Sequence, residues 1–169
     1  MKIAVTDACI FIDVIELKLA SHLFSLELEI HTSFDVFNEL HQNQQELLKA
    51  YQSVNKLIIH NISSLEKLAI FNEPFPRSLS ENDKTVIFLA RKLEAMVLSS
   101  DKAVRNYAKS QSIEYHRLLW IFDQLVAASL IKNADAVKSL TELVRKNIIY
   151  QNNSDLMNEI NNRIKVWMK

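Results

Sequence analysis

The first thirteen residues, MKIAVTDACIFID, constrain the fold more than any other stretch of the chain. Ile3, Ala4 and Val5 form a short apolar run that favours a β-strand and that stops at Asp7. A buried strand that ends in a carboxylate is typical of an α/β sheet, with Asp7 at the carboxyl edge of a central strand. Ligand sites of open α/β sheets lie at that edge. We therefore expect Asp7 to mark a functional site.

Strand-like and helix-like segments alternate along the first two thirds of the chain. The predicted strands cover residues 2–6, 26–31, 57–60, 96–98 and 113–115. The apolar residues between them recur at helical spacing, and Ser33 and Ser80 are expected to cap two of the intervening helices. Beyond residue 117 the pattern is only helical, with predicted helices over residues 118–130, 134–145 and 154–167.

This order of elements predicts an α/β protein with three layers, α/β/α, around a central and mostly parallel sheet, followed by extra C-terminal helices. A chain of 169 residues suits one domain with one substantial core. We expect a single domain over residues 1–169, with an α/β core over residues 1–116 and a helical C-terminal layer over residues 117–169.

The composition excludes several classes of protein. The chain has no glycine, so a P-loop or a dinucleotide-binding fingerprint, which both need it, is excluded. Acidic and basic residues are equal in number, so nucleic-acid binding would need a local basic patch, a metal or a partner. No apolar run reaches the ~20 residues of a membrane span, and the start lacks the features of a signal peptide. The single cysteine, Cys9, fits a reducing cytosol, so we expect a cytoplasmic protein.

Three later acids accompany Asp7. Glu39, Asp83 and Asp101 each lie where a predicted helix begins or a predicted strand ends, next to the same edge of the sheet. We interpret the four as one acidic pocket. Carboxylates suit Mg²⁺ or Mn²⁺, and such an ion would relieve their mutual repulsion, activate a water and stabilise charge on a phosphodiester. A zinc site is disfavoured, because no pair of histidines has a convincing spacing and there is one cysteine.

Four ordered motifs carry a family resemblance. They are VTDACIFID with Asp7, SFDVFNEL with Glu39, LSENDKTVIFLARK with Asp83, and VLSSDKAVRNYAK with Ser99 and Asp101. In this order, across roughly residues 2–115, they resemble the PIN-domain family of metal-dependent ribonucleases. That family includes the toxins of bacterial and archaeal toxin–antitoxin pairs. The chain departs from the family at Ser100, where glycine is common, and in its longer helical tail.

The resemblance implies a function and a set of roles. It implies a metal-dependent endoribonuclease in which Asp7, Asp83 and Asp101 hold Mg²⁺ or Mn²⁺, while Glu39 binds the ion directly or through water. All four would then be catalytic. It also implies an RNA substrate, a homodimer and an antitoxin protein that covers the acidic groove.

Each acid also has a simpler interpretation. Asp7 could accept backbone hydrogen bonds in a turn, and Glu39 could be an ordinary acid on a helix surface. Asp83 could be a favourable charge at a helix start, and Asp101 could be an N-cap, alone or in addition to binding metal. Asp13 is the candidate for an auxiliary acid.

Two other functions stay open for the whole protein. The neutral charge and the long tail also fit a catalytically silent PIN-like module that binds nucleic acid or a protein. A phosphoryl-transfer domain of the haloacid-dehalogenase or receiver type also places an aspartate after its first strand. The haloacid-dehalogenase pattern requires a second aspartate two residues later, where this chain has Cys9.

Overall fold

The computed structural model describes residues 1–169 and contains one five-stranded, all-parallel sheet. The strands are β1 (Lys2–Thr6), β2 (Leu28–Ser33), β3 (Leu57–His60), β4 (Met96–Leu98) and β5 (Tyr115–His116). Their order across the sheet is β3-β2-β1-β4-β5. The three-layer α/β/α fold predicted from the sequence is confirmed.

Eleven helices complete the chain. They are α1 (Ala8–Glu16), α2 (Ala20–Leu23), α3 (Phe34–Asn38), α4 (Gln42–Ser53), α5 (Ser64–Asn72), α6 (Glu81–Lys92), α7 (Lys102–Ser110), α8 (Leu118–Ala127), α9 (Asn133–Lys146), α10 (Ile148–Gln151) and α11 (Ser154–Trp167). None of them combines the length and the apolar character that a membrane span requires.

The strand order places β1 at the centre of the sheet. Ala4 lies between Ile30 of β2 and Met96 of β4, and all three side chains are buried. The chain builds β2 and β3 on one side of β1 and then crosses to build β4 and β5 on the other side. Such a reversal opens a crevice outside the carboxyl ends of the two strands that flank it, here β1 and β4. This crevice is where the sheet favours a binding site.

The chain forms two compact units. The α/β unit comprises residues 1–12 and 27–118 and contains the whole sheet, whereas the helical unit comprises residues 13–26 and 119–169. In the helical unit, the Arg163 guanidinium pairs with both carboxylate oxygens of Asp123, at 2.8 Å each, and so joins α8 to α11. The sequence prediction had assigned residues 13–26 to the α/β core. The single-domain organisation itself stays a prediction.

Five helices end without the glycine that such ends favour. Lys18, Asn55, Glu94, Ser112 and Ser129 follow α1, α4, α6, α7 and α8 with φ angles of 52–58°. After α6, Glu94 N–H bonds to Arg91 O and Ala95 N–H bonds to Ala90 O, the paired pattern of a Schellman cap. The same pair of bonds recurs at the other four ends. The glycine-free composition therefore carries a conformational cost at each end.

Candidate active site

Asp7 follows directly on β1 and lies at the edge of the crevice. Its backbone N–H continues the ladder to β4 by donating to Leu98 O at 3.0 Å. Its side chain is buried, with 6% exposure, and accepts three hydrogen bonds. The donors are Ala8 N–H at 2.6 Å, Ser99 Oγ–H at 2.7 Å and the Cys9 thiol at 3.2 Å. The carboxylate is therefore held in one orientation.

The pKa of the Asp7 carboxyl lies above its ordinary value. Burial is the largest cause, and the negative charge of Asp83 raises the pKa further. The hydrogen bonds from Ser99, Cys9 and Ala8 act in the opposite direction, because they favour the charged form. The structure thus brings Asp7 and Asp83 close enough to repel each other.

Asp83 occupies the first turn of α6, as the sequence predicted. Its Oδ2 accepts from the backbone N–H of Ser80 at 2.7 Å, while its own N–H donates to Ser80 Oγ at 3.1 Å. This reciprocal pair is a capping box, which satisfies two amides at the helix start. Oδ1 of Asp83 takes no part in it. The simpler interpretation of Asp83 as a favourable charge at a helix start therefore holds alongside its repulsion with Asp7.

Asp101 is the N-cap of α7. Its Oδ1 accepts from Ala103 N–H at 2.7 Å and from Val104 N–H at 3.0 Å, and neither bond uses Oδ2. The Asp101 N–H donates to Ser99 Oγ at 3.1 Å. Because the same hydroxyl donates to Asp7, the buried Ser99 connects Asp7 and Asp101 through one atom.

Glu39 directly follows the short helix α3. The sequence predicts Glu39 on a helix and near the helix start, but α3 ends at Asn38 and Glu39 is the exposed residue that caps its C-terminus. That placement was wrong, because α3 is only five residues long. At the C-terminal end of α3, the side-chain amide of Gln45 donates to Phe37 O and Leu40 O.

The comparisons with known proteins decide the family. The PIN-domain family matches residues 3–165, which is nearly the whole chain. This chain belongs to the PIN-domain family. Among solved structures, it is similar to a PilT N-terminus domain protein from the hyperthermophilic archaeon Sulfolobus solfataricus P2. The identity is 16%, the TM-score 0.51, and the match covers 73% of this chain and 93% of the other. No curated protein matches this chain.

Family membership has direct consequences for function. A PIN domain has a nuclease-type fold, PIN domains are usually nucleases that bind nucleic acid, and they generally use divalent metal ions. The structural neighbour, at its low identity, supports the fold alone.

The metal-binding capacity of this PIN domain depends on how its acids are grouped. No group of three or more histidine, cysteine, aspartate or glutamate side chains is placed to hold a metal ion. The donor chemistry nevertheless fits a divalent cation, because the buried Asp7 carboxylate lies under the repulsion of Asp83. The carboxylates of Asp83 and Asp101 would have to contact the cation while they also accept hydrogen bonds from the backbone amides at the helix starts.

Cys9 and Ser100 complete the surroundings of Asp7. Burial raises the pKa of the Cys9 thiol, and the charge of Asp7 raises it further, so the thiol stays protonated. It donates to Asp7 and accepts from Ser100 N–H at 3.2 Å. Ser100 has no positive φ angle, so its turn does not require the glycine common in the family.

Sequence reasoning missed two features of this PIN domain. The first is the Ser99 hydroxyl, whose place in the fourth motif was noted without its bond to Asp7. The second is the partial burial of Arg105, which the sequence predicts on a basic face of α7 with Lys102 and Lys109 that is either solvated or able to hold RNA phosphate. Arg105 lies one helical turn after Asp101 and close enough for Asp101 and Cys9 to affect its pKa.

Proposed function

We propose that this PIN-domain protein is a metal-dependent endoribonuclease, which hydrolyses RNA phosphodiester bonds at a site formed by Asp7, Glu39, Asp83 and Asp101. The observation that carries the proposal is the buried Asp7 carboxylate at the crevice between β1 and β4, with Asp83 close enough to raise its pKa. Strongly perturbed carboxylates in a crevice are typical of functional sites. Membership of a family whose members are usually nucleases supports the same conclusion.

The metal in this proposal is Mg²⁺ or Mn²⁺. Asp7, Asp83 and Asp101 would hold it, with Glu39 binding directly or through water. When bound, such an ion stabilises negative charge on the reacting phosphate and lowers the pKa of an attacking water. The oxygens that the caps leave available, Oδ1 of Asp83 and Oδ2 of Asp101, support this assignment.

The residues around Asp7 prepare the site before any ligand binds. Ser99, Cys9 and the amide of Ala8 fix both carboxylate oxygens and favour the ionised form that a cation requires. Burial of Asp7 and Ser99 keeps water away from these bonds, which strengthens them. The caps at Asp83 and Asp101 tie two further carboxylates to rigid helix ends. Rigid placement of charged groups is the main requirement for stabilising a phosphoryl transition state.

The substitution Asp7→Asn tests this proposal. The amide can still accept from Ala8 N–H and can donate to Ser99 Oγ, and it removes a charge that is costly to bury. We therefore expect the variant to fold with undiminished stability and to lose Mn²⁺-dependent cleavage of a mixed RNA pool. Thermal melting with increasing Mn²⁺ should stabilise only the unmodified protein, by about 2.7 kcal/mol when the ion is at 100 times its dissociation constant.

Asp155→Asn is the matched control, since Asp155 is an exposed acid in the first turn of α11, within the helical unit. It should leave both cleavage and the response to Mn²⁺ unchanged. Retained cleavage by Asp7→Asn would refute the role of Asp7. Absence of any Mn²⁺ response in the unmodified protein would refute the metal site.

A second candidate function is a catalytically silent PIN-like module that binds nucleic acid or a protein. The observation that favours it is the absence of a ready group of three metal ligands, with Asp83 and Asp101 engaged as helix caps and Glu39 exposed. This candidate predicts a folded protein that binds RNA or a protein partner and does not cleave RNA in Mn²⁺.

The family resemblance also supports a biological setting for the proposed enzyme. In that setting the protein acts in the cytoplasm as the toxin of a toxin–antitoxin pair, forms a homodimer, and is inhibited by an antitoxin that covers the acidic groove. Arrest of growth on expression, abolished by Asp7→Asn, would support the toxin role. Unaffected growth with an enzyme that is active in vitro would contradict it.

A further inference from the structure

Three buried side-chain polar atoms in the chain have no hydrogen-bond partner, and all three lie around the candidate site. They are Oγ1 of Thr6, Oγ of Ser100 and Nε of Arg105. Thr6 precedes Asp7, Ser100 lies between Ser99 and Asp101, and Arg105 follows one turn later on α7. Native proteins leave few buried polar atoms unpaired, so three such atoms around one site need an explanation.

Two of these atoms belong to residues that lie near Cys9. The Ser100 N–H donates to the Cys9 sulfur at 3.2 Å, and Arg105 is close enough to Cys9 for the two to interact electrostatically. The Ser100 hydroxyl and the Arg105 guanidinium therefore both lie near Cys9, which itself contacts Asp7. A ligand that pairs with both must lie beside the acidic site.

The charges around Arg105 favour an anion. Burial is the main cause that lowers the pKa of the Arg105 guanidinium and the neighbouring positive charge of Arg117 is the second, while Tyr115 and the carboxylate of Asp101 act in the opposite direction. Arg117 directly follows β5, the strand beside β4, so the two cations meet at the carboxyl edge of the sheet. Partial burial of a cation beside a second cation is unfavourable, and a bound anion would relieve it. The guanidinium fork matches the paired oxygens of a phosphate.

We propose that Arg105, together with the Ser100 hydroxyl, forms a binding site for one phosphate of the RNA strand, next to the reacting phosphodiester. This inference rests on the proposed ribonuclease function for the identity of the ligand. It also explains how a chain with no net charge could hold a polyanion beside four carboxylates, since the attraction would come from this local cation. Arg105 then acts in binding and positioning, and the acids carry the chemistry.

The test is a binding measurement that does not depend on cleavage. Fluorescence anisotropy of a short, labelled single-stranded RNA of mixed sequence is recorded in EDTA and again in Ca²⁺, over a series of salt concentrations, with the RNA checked for integrity. Arg105→Gln should weaken binding at least about tenfold. It should also lower the slope of log affinity against log salt by about 0.7, the value for one phosphate contact on a single strand.

Two further variants make the result decisive. Lys56→Gln removes the same charge at an exposed residue immediately before β3, at the opposite edge of the sheet, and should change neither quantity. Arg105→Lys keeps the charge without the fork, so it should retain the salt slope and lose part of the affinity. Thermal melting of each variant checks that it is folded.

The outcomes separate this inference from the proposed function. A reduced slope in Arg105→Gln that Arg105→Lys restores supports the phosphate site, even if the unmodified protein fails to cleave RNA. Binding by Arg105→Gln equal to that of the unmodified protein would overturn the site, even if the protein is an active ribonuclease. Failure of the unmodified protein to bind the RNA in both buffers, or a slope in Arg105→Lys as low as in Arg105→Gln, would also overturn it.

Discussion

Ser99 is the residue through which the structure predicts that the metal affinity of Asp7 can be tuned. Its hydroxyl donates to Asp7 Oδ2 at 2.7 Å and accepts from Asp101 N–H at 3.1 Å, and its side chain is fully buried. Ser99→Ala removes one buried bond to a charged group and leaves a backbone amide without its acceptor. A hydrogen bond to a charged group contributes about 1.5–3 kcal/mol, so we expect the free energy of unfolding to fall by about 2 kcal/mol.

The same substitution changes the pKa of Asp7 in a defined direction. The Ser99 bond favours the ionised carboxylate and is the largest effect that opposes burial. Without it, the pKa of Asp7 in the folded protein must rise further above its ordinary value. The pKa of Asp7 is higher in the folded protein than in the unfolded chain, so the free energy of unfolding falls as the pH rises between these two values. In Ser99→Ala the upper value is higher still, so the fall should continue to a higher pH. Mn²⁺ needs the ionised carboxylate, so its binding should also shift to higher pH.

Thermal melting across a pH series, with and without Mn²⁺, measures both effects. A loss of 2 kcal/mol corresponds to a decrease of roughly 4–8 °C in the melting temperature of a chain of this size. Ser110→Ala is the matched control, because Ser110 Oγ–H also donates at 2.7 Å but to the Tyr107 carbonyl at an exposed site. Ser99→Thr keeps the hydroxyl and should preserve the pH dependence. An identical pH dependence of Mn²⁺ stabilisation in Ser99→Ala and the unmodified protein would refute the reasoning.

Two further predictions concern stability. Burial, and secondarily Glu16, raises the pKa of Asp13 from 3.8 to about 7, so stability should fall by about 4 kcal/mol as the pH rises through this interval, about 3 kcal/mol of it between about pH 5 and about pH 8. Asp13→Asn should abolish that fall, as measured by urea unfolding at about pH 5 and about pH 8, and an unchanged pH dependence would contradict the assignment. Glu94→Gly should stabilise the protein by about 1 kcal/mol, because Glu94 has a φ angle of 52° after α6. The opposite effect, a loss of about 1 kcal/mol, is expected for Gln52→Gly within α4, and no gain in Glu94→Gly would refute the argument.

Sequence reasoning predicted the positions of Asp7, Asp83 and Asp101 because each depends on local rules. An apolar run that ends in an aspartate places Asp7 at a strand end, and Ser80 followed by Asp83 three residues later has the spacing of a capping box. The predicted position of Glu39 on a helix was wrong because α3 ends at Asn38, where the carbonyl of Phe37 accepts from the side chain of Gln45, a residue of the next helix. No pattern around Glu39 itself indicates that contact.

The hydrogen bonds of Asp7 were beyond the reach of local patterns for a related reason. Ser99 lies 92 residues from Asp7, and the two meet only because β4 pairs with β1 in a register that sets Leu98 opposite Thr6. Strand order and register depend on the whole fold. The sequence could therefore identify Ser99 as part of a motif without identifying the carboxylate to which it bonds.

Asp83 and Asp101 each serve two purposes in the proposed metal site. Each carboxylate satisfies backbone amides at a helix start with one oxygen, and this bond gives the acid a fixed place at the crevice. A cation that binds the second oxygen would lie near the positive end of the helix dipole, which weakens its binding. The repulsion between Asp7 and Asp83 acts in the other direction, because a cation removes it. The balance of these two effects at α6 and α7 decides whether this PIN domain binds its ion tightly enough to act as a nuclease.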